Sequence, residues 1–150
     1  MSSAGNPVLY CFDGSEGARR ALEDASTLFP GHPSIVVCVW RSIWSTAMAP
    51  PLAGLPADTV DQIDHAAALR ADEVAAEGAR LVPAAESRAV KEDRAVWQTI
   101  LDVADSVDAP VIVVGSRGLG ALKSTMLGSV SQRLVNHSTR PVLVVPPENR

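Results

Sequence analysis

The sequence predicts an α/β fold in three layers, with helices covering both faces of a five-stranded parallel sheet. Two observations carry this prediction. Five short apolar runs alternate with segments of helical character along the 150 residues, and such alternation is typical of parallel sheets with right-handed crossovers. Most of these runs are β-branched and uninterrupted, as expected for strands that are buried on both faces.

The first half of the chain predicts two strands and two helices. Val8–Phe12 is the first apolar run, and Ser15 is a favourable N-cap for a helix that ends at Pro30-Gly31. Ser34–Trp40 is a second buried strand, and a long helix capped by Asp58 follows over residues 58–81. The residues expected to face inward recur at helical spacing: Ala18, Ala21, Leu22, Ala25, Leu28 and Phe29 in the first helix, and Val60, Ile63 and Val74 in the second.

The second half predicts three further strands and two helices. Glu86–Val90 mixes polar and apolar residues, which is typical of an edge strand. Asp93 is the expected cap of the next helix, and Val111–Val114 is a strand buried on both faces. Gly128-Ser129 opens a fourth helix, and Val142–Val145 forms the last strand between two prolines. The third helix is expected to face inward through Val96, Trp97, Ile100, Leu101 and Ala104.

Length, charge and hydropathy limit the classes of function. A chain of 150 residues predicts one domain with a substantial core. The formal net charge of −4 argues against a general binder of nucleic acid or of anionic membranes. No apolar run approaches membrane-spanning length, and the first residues lack the pattern of a signal peptide. We therefore expect a cytoplasmic protein with neither nucleic-acid nor membrane partners.

Two features of the first half each leave two interpretations open. Cys11 and Cys38 lie in predicted buried strands, where they are either small reduced hydrophobic residues or, if the strands are neighbours, a redox pair. The segment Arg41–Pro56 is rich in alanine and proline and has no strong periodicity. It is either a loop that folds over a site or a variable surface insertion.

A basic, glycine-rich segment follows the strand Val111–Val114 and leads to the start of the fourth helix. Glycine lets the backbone approach a ligand closely, and the first amides of a helix lack internal partners. A strand, a glycine loop and a helix N-terminus together favour a phosphate site over the alternative, a merely tight connection. The residues on which this hypothesis depends are Gly115, Arg117, Gly118, Gly120, Lys123, Gly128 and Ser129.

The topology is expected to bring this loop opposite a second one. In open parallel sheets, ligands bind at the carboxyl ends of the strands, where the strand order reverses. The first and fourth strands are the expected neighbours at that point, with Asp13 just beyond one and Gly115 just beyond the other. Asp13 is interpreted as a ligand anchor rather than a general base, because a single aspartate after a strand more often anchors a ligand.

The spacing Gly115-x2-Gly118-x9-Gly128-Ser129, with Val8–Ser15 and the terminal RPVLVVPP, resembles the ATP-binding branch of the universal stress protein family. The resemblance implies a Rossmann-like fold of the adenine nucleotide alpha hydrolase type, with strand order 3-2-1-4-5. It also implies bound ATP, with Mg²⁺ as an optional companion of the phosphates. A homodimer formed through the edge strand Val142–Val145 is a further implication.

The resemblance implies a role for the residues around the crevice. Asp13 would hydrogen-bond the ribose or adenine, and Val39 would pack on the adenine. Gly115 and Gly118 would let backbone amides approach the ribose and phosphates, while residues 128–131 would supply further amides and hydroxyls. The full set of expected nucleotide-binding residues is Cys11, Phe12, Asp13, Ser15, Val39, Val114, Gly115, Ser116, Arg117, Gly118, Gly128, Ser129, Val130 and Ser131.

The roles of two of these side chains remain open between two interpretations. Arg117 either pairs with the phosphates or lies solvated on the loop. Phe12, which stands where the family often has a proline or a small residue, either crowds the nucleoside or points into the core.

Three hypotheses about function follow. The first is a dimeric regulator of a stress response that holds ATP between the two loops. The second is a protein-interaction module that has the same fold but does not depend on nucleotide. The third is a slow ATPase, which is the least favoured because the sequence offers no identifiable general base or arginine finger.

Overall fold

A computed structural model describes residues 5–45, 54–117 and 127–147 of the chain. Its strands are β1 (Val8–Cys11), β2 (Ser34–Trp40), β3 (Ala85–Lys91), β4 (Ile112–Gly115) and β5 (Val142–Val145). Its α-helices are α1 (Glu16–Ser26), α2 (Ala57–Ala79), α3 (Val96–Ser106) and α4 (Ser129–His137), and a short 3-10 helix spans Ile43–Ser45.

All five strands are parallel and form one sheet in the order β3-β2-β1-β4-β5. This is the predicted order, and β1 and β4 are the neighbours at which the strand order reverses. Residues on α1 and α2 pack against one face of the sheet, and residues on α3 and α4 pack against the other. The three-layer α/β/α fold is thus confirmed.

Alternating side chains of β1 show why the central strands are uniformly apolar. Leu9 and Cys11 belong to the core beneath α3 and α4, whereas Val8 and Tyr10 belong to the core beneath α1 and α2. All four residues are buried. A strand with two covered faces has no solvent-facing side, which is why its sequence does not alternate between apolar and charged residues.

The predicted cap of α1 is confirmed, and two others are wrong. The Ser15 hydroxyl accepts a hydrogen bond from the Ala18 amide at 3.2 Å. Pro56, rather than Asp58, occupies the N-cap of α2, and a proline suits this end of a helix because amides there lack intrahelical acceptors. Ala95, rather than Asp93, precedes α3, and neither of these two caps makes a side-chain hydrogen bond.

Two residues expected to face inward are exposed. Leu28 lies beyond the end of α1 at Ser26 and is 62% exposed. On α2, Ile63 is 39% exposed, whereas the adjacent Asp64 is buried. Neighbouring residues of a helix point about 100° apart, and the buried positions of α2 fall on the face that contains Asp64.

Phe12 points into the core, so of its two interpretations the second is confirmed. Its side chain is 3% exposed and packs in the cluster beneath α1 and α2. Gly78 of α2 provides the space, because a Cβ added there would lie 2.6 Å from Cδ1 of Phe12 and 2.8 Å from Cγ1 of Val36. Gly78 therefore sets how closely α2 approaches β2.

β1, β3 and β4 differ from the prediction by one residue at one or both ends, whereas β2 and β5 match it. β1 ends at Cys11 rather than Phe12, and β4 covers Ile112–Gly115 rather than Val111–Val114. β3 lies at an edge of the sheet, as predicted, and extends to Lys91. Among the described helices, none is both long enough and apolar enough to cross a bilayer.

Candidate nucleotide site

A cavity of about 310 Å³ opens at the carboxyl ends of β1, β2 and β4. This is where a parallel sheet binds its ligands, and the volume falls at the lower end of the range for small-molecule pockets. Residues from both loops of the crevice and from α3 line it: Cys11, Phe12, Asp13, Ala18, Val37, Val39, Val96, Ile100, Val114, Gly115, Arg117, Gly128, Ser129, Val130 and Ser131.

Eleven of the fourteen expected nucleotide-binding residues line this cavity, and two of the described ones, Ser15 and Ser116, do not. Ser15 caps α1. Ser116 lies behind the cavity wall, where its carbonyl oxygen accepts a hydrogen bond from the Gly128 amide at 2.6 Å. Gly118 lies outside the described residues, as do Gly120 and Lys123 of the same loop.

Part of the cavity wall is apolar. Val37 and Val39 of β2 line the cavity, and so do Val96 and Ile100 of α3. The α3 residues were not predicted as site residues, although their helical spacing correctly predicted that they face inward. Such a slot suits a flat ligand group with apolar faces.

Val39 also directs its backbone groups toward the cavity. In a parallel strand, the N–H and the C=O of one residue point to the same neighbouring strand, and those of the next residue point to the strand on the other side. The Phe12 amide donates to the Val37 carbonyl at 2.9 Å, so the N–H and C=O of Val39 point to that same side. The register between β1 and β2 ends at Cys11 opposite Val37, so no β1 residue pairs with Val39.

The N-terminus of α4 forms the polar end of the cavity. Gln132 makes the first intrahelical bond, donating to the Gly128 carbonyl at 2.9 Å. The amides of Ser129, Val130 and Ser131 precede this bond, and no side chain of the N-cap Gly128 covers them. Together with the helix dipole, such amides favour an anion.

The Ser131 hydroxyl holds the loop instead of facing a ligand. It donates to the carbonyl oxygens of Ser116 at 3.0 Å and Gly128 at 3.1 Å, and the residue is 2% exposed. A hydroxyl has one proton to donate, so Ser131 can offer a phosphate only its backbone amide. Ser129 is exposed, and the hydroxyl role expected of it stays a prediction.

The loop after β1 is shaped by Asp13 and Gly14. The Asp13 carboxylate accepts a hydrogen bond from the Ser15 amide at 2.9 Å, which is a common local turn for aspartate. Gly14 follows with φ of +82°, a backbone conformation that residues with a Cβ rarely adopt. This turn places the exposed Asp13 at the rim of the cavity.

Both cysteines are buried, and they lie on opposite faces of the sheet. Cys11 belongs to the core beneath α3 and α4, whereas Cys38 packs with Ala71 and Ala75 of α2. The redox pair considered from the sequence is therefore wrong, since a disulfide needs its two Cβ atoms to face each other. Burial, followed by the charge of Asp13, raises the pKa of Cys11 to about 12.

The described residues contain no group of three or more His, Cys, Asp or Glu side chains arranged to hold a metal ion. Mg²⁺ held through the phosphates of a ligand stays a prediction.

Comparison with known proteins identifies the family. A family model described as the universal stress protein family matches residues 6–146. The chain belongs to this family. It is 30% identical to the universal stress protein YxiE of Bacillus subtilis, over 93% of this chain and 98% of the relative. It is 31% identical to a universal stress protein of Thermus aquaticus, over 92% and 96% respectively.

Solved structures of universal stress proteins share the fold. UspA of Lactobacillus plantarum superposes with a TM-score of 0.73 at 18% identity, covering 93% of this chain and 97% of that one. A universal stress protein of Archaeoglobus fulgidus solved in complex with dAMP gives 0.61 at 20% identity, covering 94% and 98%. Another, solved in complex with cAMP, gives 0.58 at 24% identity, covering 95% and 98%.

Proposed function

We propose that this universal stress protein binds ATP in the cavity and holds it as a regulatory ligand. The observation that carries the proposal is the pairing of two complementary ends within one cavity. An apolar slot bounded by Val39 and Ile100 lies at one end, and the free amides of α4 lie at the other. A nucleotide has the same division between an apolar base and charged phosphates.

The base end favours adenine. The Val39 N–H and C=O together offer one donor and one acceptor beside the slot. Adenine presents an amino donor next to a ring-nitrogen acceptor on one edge, so it can satisfy both groups. The dAMP and cAMP complexes of two proteins with this fold support an adenine nucleotide.

The phosphate end favours more than one phosphate. The amides of residues 129–131 and the Ser129 hydroxyl are grouped at the α4 N-terminus, and Arg117 lines the same cavity. Arg117 is half-buried, so its guanidinium either reaches the phosphates or remains in water. The glycine spacing of the ATP-binding branch is what selects ATP over a monophosphate in this proposal.

The cavity side chains favour holding ATP over hydrolysing it. The Asp13 carboxylate accepts the Ser15 amide in its own turn, and the raised pKa of Cys11 keeps that thiol protonated and poorly nucleophilic. The Cys11 thiol is therefore a poor nucleophile, and the Asp13 carboxylate has a structural role in its turn. A slow ATPase activity, an interaction module without nucleotide and a cytoplasmic location stay predictions from the sequence.

Thermal unfolding with and without ATP tests the proposal. At about 100 times the dissociation constant, ATP is expected to stabilise the protein by roughly 2.7 kcal/mol. Val96→Trp should fill the slot and abolish the shift. Val135→Trp, at a 48% exposed site on α4 away from the cavity, is the matched control and should keep it. A shift that survives Val96→Trp, or is absent from the wild type, contradicts the proposal.

We also propose that the chain forms a homodimer through β5. This strand pairs with β4 on one side only, and all four of its residues are half-buried within the isolated chain. Unpaired edges of this kind promote association. Sedimentation should give a dimer at micromolar concentration, and Val144→Lys should dissociate it while the exposed control Val135→Lys does not. A monomeric wild type overturns this proposal.

A further inference from the structure

The end of β2 that carries the nucleotide slot projects beyond its neighbour β1. β1 pairs with β2 up to Cys11 opposite Val37. Cys38, Val39 and Trp40 continue for three more residues and pair with β3 alone. A strand end with a partner on one side only needs another support if it is to hold a ligand in a fixed place.

Hydrogen bonds tie this projecting end to the residue that follows β3. The Glu92 amide donates to the Trp40 carbonyl at 2.7 Å. The Arg41 Nε donates to the Glu92 carboxylate at 2.8 Å. These bonds fix β2 against β3, but β3 is itself the edge of the sheet.

Asp64 of α2 ties the same end to the helix layer. Its Oδ1 accepts the Ile43 amide at 2.7 Å, and its Oδ2 accepts the Ser42 hydroxyl. Oδ2 also lies 3.5 Å from the Lys91 ammonium at the end of β3, and that ammonium lies 5.5 Å from the centroid of the Trp40 ring. One carboxylate thus holds both the chain leaving β2 and the last residue of β3.

The position of Asp64 is unusual for a carboxylate. It occupies the buried face of α2 between Val60 and Ala71, which are 1% and 4% exposed. A buried charge is costly unless it is paired and hydrogen-bonded, and an apolar residue would often be as stable there. Burial would raise the pKa of Asp64, but the bonds from Ser42 and Ile43 and the charge of Lys91 outweigh it and lower the pKa.

We propose that Asp64 is a positioning residue for the nucleobase. It holds the projecting end of β2 so that the Val39 N–H and C=O stay within hydrogen-bonding reach of the base. Asp64 does not line the cavity, and it acts through Ser42, Ile43 and Lys91. This inference rests on the proposed binding of an adenine nucleotide at Val39.

Calorimetric titration with two ligands separates positioning from simple stabilisation. ATP uses both ends of the cavity, whereas inorganic tripolyphosphate lacks a base and uses only the α4 end. Asp64→Asn should weaken ATP binding by about tenfold, the effect of losing one or two well-placed hydrogen bonds, and leave tripolyphosphate binding unchanged. Asp72→Asn, at an exposed site on the same helix, should change neither.

Lys91→Met provides a second variant in case Asp64→Asn does not fold. Lys91 is half-exposed, with 53% of its side chain accessible, so the change tests the Asp64 contact with less harm to the core. Lys91→Met should also weaken ATP binding and leave tripolyphosphate binding unchanged.

The outcomes distinguish the two proposals. If the wild type binds no ATP, the proposed function fails and this inference fails with it. If the wild type binds ATP and both variants bind it equally well, with only their melting temperatures lowered, Asp64 is a structural residue and the inference alone is overturned. Equal loss of ATP and tripolyphosphate binding overturns it too, because the base end would not then be specifically affected.

Discussion

Gly17 in the first turn of α1 and Gly115 at the end of β4 are in backbone contact: a Cβ added to Gly115 would lie 3.1 Å from the Gly17 carbonyl oxygen. The contact continues to the next residues of the loop, since a Cβ on Gly17 would lie 3.1 Å from the Arg117 carbonyl oxygen. The first glycine of the loop motif thus allows the strand end to pack closely against α1, whether or not a ligand is bound.

Gly115→Ala is therefore expected to destabilise the protein even without ligand. Backbone atoms cannot move aside as a flexible side chain can, and overpacking of this kind typically costs about 1–3 kcal/mol. Denaturant unfolding measures the free energy, with Gly5→Ala as control because a Cβ there meets nothing within 4 Å. Equal stability of the two variants would show that the contact relaxes freely.

Gly78→Ala should also destabilise the protein, although alanine is the better helix former by about 1 kcal/mol. The added Cβ would lie 2.6 Å from the Phe12 ring, and that conflict should exceed the gain in helix propensity. Phe12→Leu should restore part of the loss when combined with Gly78→Ala, because it removes the ring. Strict additivity in the double-mutant cycle would argue against direct contact.

Ser131→Ala and Ser129→Ala should differ in stability. The Ser131 hydroxyl donates to the Ser116 and Gly128 carbonyls in a buried position. Both carbonyls keep their backbone donors in Ser131→Ala, so the expected cost is that of one buried hydrogen bond, about 0.5–1.5 kcal/mol. The Ser129 hydroxyl is exposed, and its removal should leave the melting temperature close to that of the wild type. The reverse ranking would mean that the hydroxyl roles at the start of α4 are misassigned.

Asp64 should make stability depend on pH on the acid side. Its pKa in the folded state is lowered, whereas the pKa of an aspartate in an unfolded chain is about 3.9. As the pH falls, the unfolded chain therefore takes up this proton first, so the stabilisation is complete above the unfolded pKa and lost as the pH falls through the folded pKa.

Asp64→Asn is expected to flatten this acid limb in a plot of the free energy of unfolding against pH. Asp72→Asn, which removes an exposed carboxylate from the same helix, should keep the wild-type slope. Parallel slopes for wild type and Asp64→Asn would contradict the assignment.

The sequence predicted the strands of the sheet well because a strand that is buried on both faces is composed mostly of apolar residues. Runs such as Ser34–Trp40 are buried from both sides and carry few polar residues, and the predicted bounds of β2 match the structure. The strand order came from the resemblance, because periodicity alone does not reveal which strands are neighbours beyond the switch point.

The site was only partly predictable for a related reason. A helical pattern shows that Val96 and Ile100 face inward, but core and cavity wall look alike until the loops after β1 and β4 are placed. Asp64 was missed because the pattern of α2 favoured the apolar Ile63 at the buried position. The signal for Gly17 and Gly78 lies in contacts between distant segments, which a single sequence does not display.

Calorimetric titration of ATP into nucleotide-free protein tests the central claim most directly. We expect saturable binding of one ATP per chain, lost in Val96→Trp and retained in Val135→Trp. Absence of saturable ATP binding by the folded wild-type protein would contradict the account.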